Sequence, residues 1–324
     1  AMMLGTAMGQ GRDNNLHALR LFLAAAVVVS HAWPLALGAG TPEPLKALTG
    51  HSLGGWAVGL FFFLSGLLIM GSAERSSTTR FWLARARRIL PGLGLALLVT
   101  LVLAALTGGA LTPAIAATYF LRGITLVSLE HNLPGAFANA PMAGVANGPL
   151  WSLAHEVAAY ALCWAAVRSG LVRHWAGLAC LMAAALLLWA LPDLPARAAT
   201  FAPLFVAFTL GMAAHRFRDH LSLSPLLTLA LLVLAPLGWP FAMSALGHAA
   251  LVVAFRLPAQ PLARDLSFGL YIYGWPVAQV LIHQMPGLTP PQLAILTLVV
   301  TLPFALLSWH LVESPALQRS PAKG

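Results

Sequence analysis

Two residues of the first apolar stretch, Arg20 and His31 in HALRLFLAAAVVVSHAWPL (His17 to Leu35), are ones that a lipid-embedded helix should reject. They are eleven positions apart, about three turns at 3.6 residues per turn, so both project from nearly the same face. At about 1.5 Å per residue they stand roughly 16 Å apart along the axis, about half the thickness of a bilayer core. With Arg20 at one membrane surface, His31 comes near the middle, where an ionisable group is costly and by default marks a function.

A second constellation is Asn147-Gly148-Pro149-Leu150-Trp151-Ser152-Leu153-Ala154-His155-Glu156, followed by Tyr160. Pro149 suits the first turn of a helix. Ser152, Glu156 and Tyr160 recur every fourth residue and so line one face, whereas His155 points about 100° away from Glu156. Glu156 lies roughly 10 Å below the outer end of its span by rise per residue. His31 lies about 14 Å below the same surface for a core of about 30 Å, so the two can share a depth. A neutral imidazole backed by a carboxylate is a general-base arrangement. The competing reading is a structural His–Glu pair, or a carboxylate hydrogen-bonded to helix neighbours. A third group, Arg80 with Arg85, Arg87 and Arg88, leads into the third span. Arg85 and Arg88 are one turn apart and could grip phosphates together. Taken alone, the cluster reads first as an ordinary topogenic charge run, since such runs at span ends are routine.

The elements that must position these residues follow from the apolar runs. Of the 324 residues 59% are hydrophobic and only 8% charged, with mean hydropathy +0.82. Soluble domains carry about 25% charged residues, so the expectation is an all-α, polytopic membrane protein. Candidate spans are 17–35, 54–71, 89–107, 149–167, 174–191, 199–215, 225–240, 242–257, 266–284 and 292–312, ten in all. Gly238, Trp239 and Pro240 leave only a tight turn between the seventh and eighth. Leu111 to Leu129, interrupted by Pro113 and Arg122, reads as a re-entrant or surface helix in a long loop, 108–148. Residues 1–16 read as a loose cytoplasmic tail, 17–316 as one membrane domain and 317–324 as a second tail. The first run is read as a retained helix rather than a cleaved signal, because many spans follow it.

Net charge is +9, but the basic residues cluster between apolar runs, which suits membrane topology and not nucleic acid. With the N-terminus in the cytoplasm, that side receives fifteen of the eighteen lysines and arginines: Arg12, Arg20, Arg75, Arg80, Arg85, Arg87, Arg88, Arg168, Arg173, Arg216, Arg218, Arg256, Arg264, Arg319 and Lys323. Only Lys46, Arg122 and Arg197 fall on the other side. Both termini are therefore expected to be cytoplasmic. Cys163 and Cys180 lie in apolar runs and read as small buried hydrophobes, with no disulfide or metal site suggested.

The chain resembles the bacterial membrane acyltransferases called acyltransferase 3, over nearly its whole length. The motifs that carry the resemblance are Arg20 with His31, Phe61-Phe62-Phe63-Leu64-Ser65-Gly66-Leu67-Leu68-Ile69, and the arginines 85, 87 and 88. They continue with Leu150 to Glu156 and with Glu313 before Pro315. Two departures stand out. Many relatives have a histidine between the tyrosines and the proline of the ninth span, where Leu270-Tyr271-Ile272-Tyr273-Gly274-Trp275-Pro276 places Gly274. Some relatives also carry an appended hydrolase-like domain. Here the expectation is a membrane domain that acts without one or hands over to a separate glycan-pathway protein.

The resemblance implies transfer of an acyl group, commonly acetyl, from cytoplasmic acyl-CoA to a hydroxyl of an extracytoplasmic or exported carbohydrate, in the bacterial inner membrane. CoA phosphates would rest on Arg20, Arg85 and Arg88, and the acceptor would enter near Trp151, Tyr119 and Arg122. Asn147, Ser152, Tyr271 and Tyr273 are the further candidate substrate contacts, and Trp and Tyr at span ends are also ordinary interface anchors. His31 would take the hydroxyl proton with help from Glu156, or would itself carry the acyl group. The alternative from another class is a proton-coupled transporter with His31 and Glu156 as its relay. Against it stand the absence of a visible repeat and of matched interrupted spans. A periplasm-active reporter fused within 108–148 is expected to be active and one fused at the C-terminus silent. The reverse pattern would overturn the charge argument.

Overall fold

The computed structural model describes residues 2–9, 11, 14–128, 130–260 and 262–318. Arg12, Arg319 and Lys323 of the charge argument lie outside them, as does most of the expected 317–324 tail. Among the described residues helices are joined by loops, with two isolated bridges and no strand. Each expected span is met by a helix: Leu16–Leu37, Leu53–Arg75, Thr78–Leu106, Trp151–Arg168, Trp175–Ala190, Ala196–Arg216, Pro225–Leu234, Trp239–Phe255, Ser267–Gln284 and Pro290–Ser308. Six segments are long and apolar enough to cross a membrane: Leu16–Leu37, Leu53–Arg75, Thr78–Leu106, Gly148–Arg168, Ala196–Arg216 and Pro290–Gln318. Trp175–Ala190 has 16 residues, a rise of only about 24 Å, and Trp239–Phe255 has 17.

The structure divides into two compact units. The first comprises Ala1–Arg20, Val58–Phe81 and His155–Ala263. Its centre is the crossing of the 53–75 and 196–216 helices. A Cβ on Gly66 would fall 1.9 Å from the Phe208 carbonyl oxygen, and one on Gly211 would fall 1.9 Å from that of Phe63. The two backbones touch, which is the small-residue packing that helices use in lipid, where burial of apolar surface offers no drive to associate. Gly66 of the Phe-rich motif is therefore a packing residue. In the same unit Cys163 is buried as expected, but Cys180 is exposed on the outer face of a short apolar helix.

The N-terminal segment is a correction to the expected loose tail. Leu4–Gly9 is a helix with Leu4 fully buried, and the chain before it pairs with 221–223. Leu4 N–H donates to Leu221 O at 2.9 Å and Leu223 N–H to Met2 O at 2.8 Å. The Asn15 side-chain amide donates to the carbonyls of Val253 and Pro258, so long-range hydrogen bonds hold both ends of the described part of this stretch.

The second unit comprises Leu21–Ala57, Trp82–Ala154 and Arg264–Gly324. Its helices 267–284 and 290–308 pack closely, with Gly269 against Ala305. In the 108–148 loop the helix is shorter than the sequence suggested. It runs Pro113–Ile124, capped by the Thr112 hydroxyl, which accepts from Ile115 N–H at 3.2 Å. A π-helical turn, Trp309–Glu313, ends the last long helix and turns Glu313 inward, where Ser308 donates to it at 2.7 Å.

Gly66→Ala and Gly211→Ala should each destabilise the protein by about 1–3 kcal/mol or more, because a backbone carbonyl cannot swing aside as a side chain can. Gly40→Ala, at a position with open space around it, is the control. Thermal melts in detergent decide the matter. Melting points equal to the control would show that the helices do not cross at these glycines.

Candidate active site

His31 is half-buried on the 16–37 helix, which carries no acidic residue. Its ring meets that of Trp275 edge to face, with centroids 5.0 Å apart and planes inclined at 77°. Trp275 is itself held. Its indole N–H donates to the Val145 carbonyl at 2.9 Å, and Gln279 Nε2 donates to the same carbonyl and to that of Met142, both at 2.8 Å. Beside His31 in the chain, the Ser30 hydroxyl donates to Glu43 Oε2 at 2.7 Å, and that oxygen also accepts Leu53 N–H at 2.8 Å. One buried carboxylate thus ties the first helix to the start of the helix at Leu53. Trp275 and Glu43 fix the stretch that carries the imidazole.

Gly274 stands where the resemblance leads one to expect histidine in many relatives. A Cβ there would lie 2.7 Å from Val28 Cγ2. Val28 is three residues before His31 and so on nearly the same stripe of the helix. The missing side chain is what lets the 267–284 helix approach closely enough to set Trp275 against His31.

Glu156 belongs to the other unit, where it accepts hydrogen bonds from the Tyr160 hydroxyl and, at 3.3 Å, from Ser65. The every-fourth-residue spacing put Tyr160 on the same face; Ser65 comes from the Phe-rich motif of another helix. Two sequence motifs of separate helices therefore converge on one carboxylate. Ser152, on the same stripe as Glu156, is bonded elsewhere.

Arg85 and Arg88 lie on one helix, both half-buried, as their spacing implied. Arg88 Nη2 donates to Asp265 Oδ2 at 2.6 Å, and its guanidinium lies 5.8 Å from the Phe268 ring centre. Asp265 is buried and also accepts from Ser267 N–H. Sequence reasoning missed Asp265, although an acid beside Arg264 at the head of an apolar run was a signal. Arg20 is half-buried in the first turns of its helix.

Four expected substrate contacts turn out to be internal ties. Asn147 Nδ2 donates to Ile272 O at 2.9 Å, and the Ser152 and Tyr271 hydroxyls are 2.6 Å apart, both near Pro149 O. Together they join the head of the 151–168 helix to the 267–284 helix. Tyr273 is 1% exposed against Phe304 and offers no free ring face to a sugar. Trp151 remains half-buried, and Arg122 is exposed at the rim of a cavity of about 270 Å3 in the 108–148 loop.

Comparison with known proteins agrees with these motifs. The acyltransferase 3 family model, described as an acyltransferase domain, matches residues 13–310. Nodulation protein 10 of Rhizobium leguminosarum bv. viciae is 30% identical, over 95% of this chain and 94% of its own length. An O-acetyl transferase of Shigella phage Sf6 is 31% identical, over 96% of this chain and 98% of its own. No solved structure matches significantly.

Gly274→Ala should lower the melting temperature, by the equivalent of about 1–3 kcal/mol, because the new methyl meets Val28. Val28→Ala in the same chain should recover most of the loss, a coupling that distant sites do not show. Thermal melts of the two single variants and the double variant test this, and a Gly274→Ala protein as stable as wild type would refute the close approach.

Proposed function

Because the chain belongs to the acyltransferase 3 family, we propose that this membrane acyltransferase moves an acyl group, commonly acetyl, from cytoplasmic acyl-CoA to a carbohydrate hydroxyl on the far side of the bacterial inner membrane. The observation that carries the reading is the family match over residues 13–310, with His31 held half-buried against Trp275 inside it. The similarity to an O-acetyl transferase over nearly both full lengths supports oxygen as the acceptor atom and acetyl as the group. The chain works within lipid, and a separate glycan-pathway protein can present or receive the sugar.

In this reading acyl-CoA is a substrate, with its phosphates on Arg20, Arg85 and Arg88 at the cytoplasmic face. His31 takes the proton of the acceptor hydroxyl as that oxygen forms a bond to the thioester carbonyl carbon. The carbon–sulfur bond then breaks, and the CoA sulfur leaves and receives the proton. Glu156 takes the assisting role, and it accepts hydrogen bonds from Ser65 and Tyr160. Trp151 and Arg122 are the acceptor contacts retained from the sequence. Asn147, Ser152, Tyr271 and Tyr273 then act indirectly, by holding the helices that frame the site.

His31→Ala and His31→Gln should fold, bind CoA and lose transfer by on the order of 10²–10⁴. Glu156→Gln should be impaired, and its effect should not add fully to that of His31→Ala, since groups acting as one unit are non-additive. Arg85→Ala should raise KM for acyl-CoA far more than KM for the acceptor. It is a cleaner probe than Arg88→Ala, which would strand Asp265. Single-turnover transfer by purified protein is the measurement, with CoA binding by calorimetry. A folded His31→Ala protein with near-normal transfer would end this reading.

A further inference from the structure

A histidine that takes up a proton becomes a cation, and the helix that carries His31 has no acidic residue of its own. Among the described residues of its unit, no side chain hydrogen-bonds or ion-pairs with the imidazole. What the structure sets against it is an indole. The Trp275 ring centre stands 5.0 Å from that of His31, with planes inclined at 77°. That lies inside the separation of about 6 Å over which a cation is attracted to the electron-rich face of an aromatic ring, most strongly that of Trp.

The indole is fixed from several sides. Its single N–H is spent on the Val145 carbonyl at 2.9 Å, so its most positive point makes no bond to the imidazole. Gln279 Nε2 donates to that same carbonyl at 2.8 Å and holds it. Gly148 supplies a seat. A Cβ there would fall 3.0, 3.0 and 3.1 Å from the indole carbons Cη2, Cζ3 and Cε3. Nearly equal distances to three consecutive carbons place Gly148 over a face of the six-membered ring, since an approach in the ring plane would be shortest to one carbon. Gly274, next to Trp275 in the chain, has Val28 where a side chain would go. Two glycines therefore clear the space that the indole fills beside His31. Trp275 is 6% exposed, so little water competes with the contact, and such an attraction is worth most where water is excluded.

We propose that Trp275 stabilises the charge that His31 acquires during transfer, the imidazole directing its edge at the indole face, with Gly148 as the seat that keeps the indole in place. The inference rests on the reading of His31 as the base of acyl transfer. In that step the acceptor hydroxyl's proton moves to an imidazole nitrogen as its oxygen bonds the thioester carbon, and the leaving CoA sulfur takes the proton back. The imidazolium exists only between these two proton movements, so a group that favours it speeds transfer without tightening the grip on CoA. Trp275 and Gly148 act through His31 and are positioning residues. Gly148, which the sequence offered only as part of a motif, gains a specific purpose.

The test replaces the face of the indole without changing its shape. Tryptophans bearing one, two and three fluorines on the six-membered ring are placed at position 275 alone, by reassigning that codon in the full chain. Each keeps the N–H for Val145 but presents a progressively electron-poorer face. The proteins are compared in lipid nanodiscs by single-turnover loss of acetyl-CoA, with water and the methyl glycosides of glucose, galactose and N-acetylglucosamine as acceptor probes. The rate should fall with each fluorine, about tenfold across the series. CoA binding by calorimetry should stay unchanged. Trp275→Phe, with a weaker face, should lie between wild type and Trp275→Leu, and Gly148→Ala should slow transfer by displacing the indole. The fluorinated proteins keep the test valid where these substitutions misfold. Equal rates across the fluorine series in an active protein would overturn the proposal and leave the acyltransferase reading standing, because a purely structural indole does not respond to its electron density. A wild-type protein that consumes no acetyl-CoA with any of these acceptors would instead end that reading, and this inference with it.

Discussion

An ionisable side chain inside an apolar helical protein is retained where hydrogen bonds or an opposite charge replace the water it has lost, and several helices of this structure are joined through such groups. Glu43 accepts from Ser30 and from the Leu53 amide. Glu156 accepts from Ser65 and Tyr160, Asp265 from Arg88 and Ser267, and Glu313 from Ser308. Glu74, itself exposed, meets the buried His215 at 3.0 Å. With only nine acidic residues in the chain, these five carboxylates are a large share, and each bonds elements far apart in sequence or turns a helix end inward. They are the polar joints of a protein whose remaining packing is non-directional.

Small residues supply the complementary constraint. Where Gly66 and Gly211 cross, and where Gly274 meets Val28, a single methyl would separate helices that now touch. The consequence at Gly274 is chemical as well as mechanical. Close approach brings Trp275 to the edge of the His31 ring, and the Val145 carbonyl holds the indole there. A histidine at 274 would need a different helix spacing, so its absence and the Trp–His contact are two aspects of one arrangement.

Much of the architecture was legible in the residues alone. Each of the ten expected apolar runs holds a helix, because a backbone in lipid must bond internally, although the third helix begins at Thr78, eleven residues before the expected start, and the seventh ends at Leu234. The N-terminal helix escaped notice, since its order comes from pairing with 221–223 and not from local pattern. The spacing placed Glu156 and Tyr160 on one face, and the bond between them is the helix-neighbour contact that the sequence offered only as the competing reading. The aromatic residues of the ninth span were read as sugar contacts on type alone, and burial separates them: Tyr273 packs, Tyr271 bonds Ser152, and Trp275 meets His31.

The sequence by itself determined that the protein is a helical membrane protein, which residues are ionisable at improbable depths, and which family pattern they follow. Those properties are written in composition and in short-range spacing. Only the tertiary structure decided what each of those residues touches. Arg88 pairs with an acid 177 positions away, and Asn147 is spent on the Ile272 carbonyl. His131, unremarkable in the sequence, is buried beside the cavity of the 108–148 loop. The physical reason is that a charge or hydroxyl is satisfied by whichever partner packing brings within about 3 Å, and separation along the chain does not encode that distance.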